Sequence, residues 1–306
     1  MNSFAANTTR LGYIGLGAMG SRIVGRLLTA GYAVSVFDQI PAKKDALKAK
    51  GAKTCDSLAA LSRSVDMVLS CLTNDQAVRD VYFGESGVLA NAKPGTVVIE
   101  MSTILPGTSR ELASKGSEAG ILVLDVAISG STPAAEQGTL TLLAGGNPDL
   151  FQASAPVFQA IAAKYFHLGP SGAGTTMKMV VNAILGIGMQ AIAEAAAMGE
   201  KAGLSREILL QVLSQTALIA PAYQGKFPRL AQRDYSPQFP LPLMNKDLRL
   251  ILQLADEVGA VMPATSAAFE VNTETLGKHG DLDFSAVVEY MEEASTKLDS
   301  KKFATR

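Results

Sequence analysis

One lysine and one asparagine sit four residues apart at the head of the most apolar stretch of the chain, in Gly172-Ala-Gly-Thr-Thr-Met-Lys178-Met-Val-Val-Asn182. That spacing puts both side chains on one face of a helix. A cation in so apolar a segment is costly unless it has a partner or a task. One such task is proton transfer. Lysine titrates near about 10.4 in water, and burial beside Val180, Val181 and Ile184 would lower that value. Taken alone, the helix fits a lysine reaching out to solvent better than a catalytic one.

A second constellation lies near the start of the chain. Gly15-Leu16-Gly17-Ala18-Met19-Gly20 has the spacing G-x-G-x-x-G, follows a strand-like run and opens a helical one. In that context the first glycine permits a tight turn and the second lets backbone approach a pyrophosphate. The third lets helix and strand pack closely, while the helix N-terminus offers N–H groups to the anion. All six residues are assigned to a dinucleotide. Asp38 stands eighteen residues after Gly20, at the end of the next strand-like run. An acid there accepts hydrogen bonds from the adenosine ribose and repels a 2′-phosphate, so it favours NAD over NADP. Lys43 and Lys44 follow and would meet a phosphate if their loop curled back, but they read more simply as a solvated helix face.

Three polar loops complete the set: Ser70-Cys-Leu72-Thr73-Asn74, Glu100-Met-Ser-Thr103 and Ser129-Gly130-Ser131. Each follows a strand-like run and offers hydroxyls or backbone N–H groups there. Leu72 and Thr73 are assigned to the cofactor. A Ser-Gly-Ser run can form a nest for a carboxylate, although polar turns of this kind are common.

These residues need elements to hold them. In the first half, strand-like runs (11–15, 33–38, 66–71, 96–100, 121–125, 140–144 and 164–168) alternate with helical ones, including a helix expected over 148–162. Alternation of this kind predicts a mostly parallel sheet with helices on both faces, which places ligands at the strand ends. After Gly174 only helical patterns remain, over about 175–202, 205–216, 245–258, 263–277 and 284–297. The fold class expected is α/β, a Rossmann-type doubly wound sheet followed by an all-α C-terminal domain. The boundary falls in the Gly/Pro/Ser-rich connector, giving a dinucleotide-binding domain over 1–170 and a helical substrate and dimerisation domain over 171–306.

Composition narrows the function. Of 306 residues, 48% are hydrophobic and 18% charged, and the net charge of −1 gives no pull toward nucleic acid or an anionic membrane. The apolar run 177–198 carries Lys178, Asn182, Gln190 and Glu194, so a buried helix is expected rather than a membrane span. Two cysteines without metal-like spacing predict a reducing, cytoplasmic setting and no disulfide framework. His167 and His279, the only histidines, are read as structural, which argues against a histidine acid, a metal site or a Ser-His-Asp triad. Asp281 and Asp283 precede a helix, where capping explains them.

Four segments in order carry a resemblance to the β-hydroxyacid dehydrogenase family, that of 3-hydroxyisobutyrate and 6-phosphogluconate dehydrogenases. They are Gly15–Gly20, the Asp125-to-Leu140 segment with its Ser-Gly, Gly172-x-Gly174-x3-Lys178-x3-Asn182, and Asn245-Lys246-Asp247-Leu248. Within the family the chain is most similar to the glyoxylate and succinic semialdehyde reductase branch. Met101-Ser-Thr103, Ser129-Gly-Ser131, Phe239-Pro-Leu and Gly280-Asp-Leu-Asp-Phe-Ser285 carry that likeness. Departures are Ala127 for a usual proline, Glu100 for a common aspartate, and Asp38 where the branch has a basic pattern suited to NADPH.

The resemblance implies an NAD(P)-dependent reduction of small aldehyde- or oxo-acids, or the reverse oxidation of hydroxy acids. Lys178 would be the general acid or base, and Asn182 would hold the substrate hydroxyl or Lys178. Ser129, Gly130 and Ser131 would bind the substrate carboxylate, and Thr103 would lie between substrate and nicotinamide ribose. Lys246 would touch the cofactor, Asp247 would fix local charge, and Phe239 would form an apolar wall. A homodimer or higher homo-oligomer is also implied. Imine reduction on the same scaffold and a non-catalytic dinucleotide-binding module are the alternatives, and both fit poorly with Lys178 and Asn182 present together.

Overall fold

The computed structural model describes residues 3–303, with side chains up to Thr296. Met1 and Asn2 of the polar N-terminal segment, and residues 304–306, lie outside the described residues. Eight strands occur among the described residues: β1 (Arg10–Ile14), β2 (Ala33–Phe37), β3 (Lys53–Thr54), β4 (Met67–Ser70), β5 (Val97–Glu100), β6 (Leu122–Ser129), β7 (Leu140–Gly146) and β8 (Ala162–His167). They form one sheet in the order β3-β2-β1-β4-β5-β6-β7-β8. Every neighbouring pair is parallel except β6 with β7. The run from β3 to β6 is the doubly wound dinucleotide order, and its direction of winding reverses between β1 and β4, where such sheets open a crevice at the strands' carboxyl ends.

Both faces of the sheet are covered. Leu11, Tyr13, Met67, Leu69, Val97 and Ile99 point into one core, and Ile14, Val68 and Val98 into the other. A strand buried on both faces has no polar side to show, which is why these strands read as continuous apolar runs. The helix expected over 148–162 is two helices, Pro148–Ala153 and Ala155–Ile161, broken at Ser154. Pro156 lacks the N–H that a continuous helix would need there. The strand expected over 140–144 is β7, but its reversed direction, like the two-residue β3, leaves no mark in the sequence pattern. Strand β6 runs unbroken through Ala127 to Ser129.

Beyond the sheet the chain is helical: Ala173–Lys201, Arg206–Gln215, Pro221–Gln224, Phe227–Ala231, Leu241–Val258, Pro263–His279 and Val287–Phe303, with a 3-10 turn at Phe284–Ala286. Helix Leu241–Val258 begins four residues before the expected 245, because Pro242 is tolerated in a first turn. By contacts the chain divides into two compact units, Met1–Met179 and Val180–Arg306. This division falls inside helix Ala173–Lys201, a little after the connector at 169–174. Its first turns pack on the sheet: a Cβ on Gly174 would lie 2.3 Å from the Leu143 carbonyl oxygen. The helix is long and apolar enough to cross a bilayer by length and composition, yet half of its apolar window is buried within the protein. We read it as a core helix.

Candidate active site

In the first unit the glycine turn follows β1. Gly15 takes φ +89°, and a Cβ there would lie 2.3 Å from the Cys71 carbonyl oxygen. Only glycine fits this conformation and this approach to the neighbouring turn. On Gly20 a Cβ would meet the Gly15 oxygen at 2.0 Å, so helix and turn touch through it. Gly17 differs, since a Cβ there would meet nothing within 4 Å. The fold itself does not require a glycine there, and the open space leaves room for a close-lying pyrophosphate. Met19 places no side-chain cap on helix Gly20–Thr29, and the Ser21, Arg22 and Ile23 N–H groups bond the Gly17 and Met19 carbonyls instead.

A cavity of about 480 Å³ opens beside this turn, lined among others by Gly15, Gly17, Asp38, Lys43, Leu72 and Thr73. Five of the residues assigned to the cofactor are thus brought together. Asp38 is largely buried, and its oxygens accept from Leu16 N and Ile40 N, both at 2.8 Å. Lys43 Nζ lies 3.7 Å from the same carboxylate. Lys43 therefore pairs with Asp38 rather than standing as a purely solvated charge. The tight glycine turn, the open space beside Gly17 and the cavity fit a dinucleotide.

The turns after β4 and β5 are tied together beneath this cavity. Leu72 N donates to Ser102 Oγ at 2.7 Å. Ser102 in turn donates to Glu100, from its N at 2.9 Å and also from its hydroxyl. Ser70 reaches the same carboxylate at 3.4 Å and bonds the Tyr82 hydroxyl at 2.7 Å. Burial pushes the Glu100 carboxyl up to about 7, against the pull of the Ser102 donors. Thr103 follows directly in this braced turn. The sequence marked Glu100 only as a departure from the family pattern; its burial was the missing signal.

At the end of β6, Gly130 takes φ +139° between Ser129 and Ser131. Ser131 precedes helix Thr132–Gln137 and makes no side-chain cap bond, so its hydroxyl is not consumed by capping. Four residues earlier on β6, Asp125 is buried and accepts from Gly172 N at 2.7 Å and Thr175 N at 3.0 Å. It caps the start of helix Ala173–Lys201, where a negative charge also suits the helix dipole. Burial raises its carboxyl, though these N–H groups pull it back. Lys178 follows Thr175 by less than one turn and is half-buried. Val180 and Ile184 are 51% and 67% exposed, so the apolar wall expected around Lys178 is not made by them.

In the second unit, Asn182 is buried and its Nδ2 donates to Asp247 Oδ2 at 2.6 Å. The carboxylate can only accept, which fixes the amide orientation. Asn182 Oδ1 is left without a hydrogen-bond partner among the described residues. Lys246 Nζ lies 2.9 Å from Asp247 Oδ1. Two motifs 65 positions apart thus meet in one network. Phe239 is half-buried and packs edge-on against Phe284, centroids 5.6 Å apart. His167 bonds the Gly146 carbonyl at 2.8 Å, and His279 lies 3.9 Å from Glu293.

Comparison with known proteins identifies the class. The family model described as the NAD binding domain of 6-phosphogluconate dehydrogenase matches residues 10–169. The model described as NAD-binding of NADP-dependent 3-hydroxyisobutyrate dehydrogenase matches residues 172–291. The chain belongs to the β-hydroxyacid dehydrogenase family of NAD(P)-dependent oxidoreductases, that of 3-hydroxyisobutyrate dehydrogenase. It is 37% identical over 281 residues to glyoxylate/succinic semialdehyde reductase 1 of Arabidopsis thaliana, covering 91% of this chain and 97% of that one. It is 35% identical over 288 residues to the NAD-dependent L-serine dehydrogenase of Pseudomonas aeruginosa, covering 91% and 96%. Among solved structures, Mycobacterium tuberculosis 3-hydroxyisobutyrate dehydrogenase with L-serine superposes with a TM-score of 0.84 at 32% identity, covering 92% of this chain and 99% of that one.

Proposed function

We propose that the chain reduces small aldehyde- or oxo-acids, such as glyoxylate or succinic semialdehyde, to hydroxy acids, or runs the corresponding β-hydroxyacid oxidation. The observation that carries this reading is Lys178, half-buried just beyond the Asp125-capped start of its helix. Likeness to the Arabidopsis reductase along nearly the whole chain supports the substrate class.

The nicotinamide, when bound, supplies or takes the hydride. Lys178 gives a proton to the carbonyl oxygen in reduction and removes one from the hydroxyl in oxidation, a role that typically contributes about 10²–10⁴-fold in rate. Asn182 holds the substrate hydroxyl or Lys178 in place, and Asp247 fixes the orientation of its amide. Ser129, Gly130 and Ser131 receive the substrate carboxylate, Thr103 bridges toward the ribose, and Phe239 walls the carbon chain. Lys246 contacts the cofactor. We infer NAD rather than NADP from the Asp38 carboxylate at the cavity, a choice supported by likeness to the NAD-dependent serine dehydrogenase. Domains over 1–170 and 171–306, a cytoplasmic setting and a homodimer or higher homo-oligomer belong to the same reading. Exposed Ile208, Val212, Leu218 and Val261 support self-association of the second unit.

The test is Lys178→Ala, assayed with glyoxylate, succinic semialdehyde and one cyclic imine. Turnover of the acids should fall by about a hundredfold or more, with NAD(P)H binding followed by fluorescence nearly unchanged. Near-normal turnover would remove Lys178 from catalysis.

A further inference from the structure

Lys226 and Asp283 form an ion pair buried in the second unit, and nothing in the chemistry above uses it. Lys226 is 8% exposed and Asp283 1%. Lys226 Nζ lies 2.7 Å from Oδ1 and 2.8 Å from Oδ2, and 3.2 Å from the Gln238 side-chain oxygen. Asp283 caps the 3-10 turn through Ser285 N, as expected from its place before a helix. Capping is the smaller part of what it does. Its Oδ2 also accepts from Gln238 N and Phe239 N, both at 2.9 Å. The two segments are further stitched by Phe284 N donating to the Phe239 carbonyl at 3.0 Å and Leu241 N to the Leu282 carbonyl at 2.9 Å. Lys226 Nζ sits 5.0 Å from the centre of the Phe284 ring, against which Phe239 packs.

A buried ion pair is a weak device for stability, because desolvating both charges offsets most of their attraction; a well-packed apolar pair often does as well. What such a pair does enforce is geometry, since neither charge tolerates losing the other. Here it enforces the path of one short segment, the backbone at Gln238 and Phe239. The Phe239-Pro-Leu motif and the Gly280–Ser285 motif look unrelated in sequence, yet both are organised around this one carboxylate.

We propose that the Lys226–Asp283 pair is a specificity-determining strut: it fixes the position of Phe239 and thereby selects which carbon chains the enzyme accepts. Lys226 and Asp283 are positioning residues, acting through Phe239, and the inference rests on Phe239 being the apolar wall of the substrate site.

The test uses the full chain carrying Lys226→Met, which keeps length and removes charge, beside Phe239→Ala as the reference. Three quantities are measured: the ratio of kcat/KM for glyoxylate to that for succinic semialdehyde, the KM for the cofactor, and hydrogen exchange in a peptide spanning residues 236–241. In Lys226→Met the ratio should shift by about tenfold or more, the order set by a methylene-sized change in a pocket. Exchange at 236–241 should accelerate while the cofactor KM stays within about twofold. A ratio unchanged in Lys226→Met but shifted in Phe239→Ala overturns the strut and leaves the Phe239 reading standing. A ratio unmoved by Phe239→Ala, or a wild type that reduces neither acid, removes that reading and the strut with it. Should Lys226→Met not fold, Asp283→Asn is held to the same expectations and the same outcomes.

Discussion

Glu100 carries the sharpest consequence at the scale of single residues. Its carboxyl is buried, faces Tyr82, Tyr13 and Asp125, and is pushed up to about 7 from an ordinary 4.5. A raised acid binds its proton more tightly when folded than when unfolded. Its contribution to stability is therefore complete below about pH 4.5 and is lost as pH rises through about 7, a swing of about 3 kcal/mol. Glu100→Gln should flatten the fall in unfolding free energy between about pH 5 and 8 by that order, read by urea titration. Parallel curves for the two proteins would contradict the burial account. That Lys178 and Asn182 share one helix was legible because a spacing of four is a local fact. The partner of Asn182 was not, since no local pattern links residue 182 to residue 247. Lys226 was invisible for the same reason, being an ordinary lysine until the fold buries it.

Among the elements, helix Ala173–Lys201 depends on how its first turn is held. Asp125 holds it through Gly172 N and Thr175 N. Asp125→Asn would turn an NH2 toward one of those N–H groups. Leaving a buried donor unpaired costs about 1–3 kcal/mol, partly offset by removal of a buried charge. We expect stability to drop by up to that amount and kcat to fall about tenfold as Lys178 shifts, with the cofactor KM held within about twofold. A variant matching wild type in both stability and kcat would refute the latch. The strands and helices were largely readable, because apolar runs bounded by glycine mark a buried parallel sheet. The reversed β7 was not, since an apolar strand carries no sign of its direction. Over 148–162 the apolar spacing is continuous and hides the break that Pro156 imposes.

For the molecule as a whole, cofactor choice is the testable property. A ligand held only by the folded state raises stability by about 2.7 kcal/mol at a hundred times its Kd. At equal concentrations NADH should raise the Tm by a few degrees more than NADPH, read by differential scanning calorimetry. A larger shift with NADPH would mean that Lys43, and not Asp38, governs the ribose end of the cavity. The broad outline, sheet first and helices after, was legible from composition and periodicity alone. The contact division inside helix Ala173–Lys201 was not, because a helix looks the same in sequence on either side of Met179.

The two hydrogen bonds that Asp38 accepts have an evolutionary side. The residue that would discriminate between cofactors also fastens the glycine turn to the end of β2 through Leu16 N and Ile40 N. Exchanging it for a basic residue would alter selectivity and unpin the turn in one stroke. A lineage drifting toward the phosphorylated cofactor must first install another acceptor for the Leu16 amide. A serine or asparagine at position 38 would keep an acceptor for that turn while removing the charge, so selectivity and the anchoring of the glycine turn are tied to one side chain.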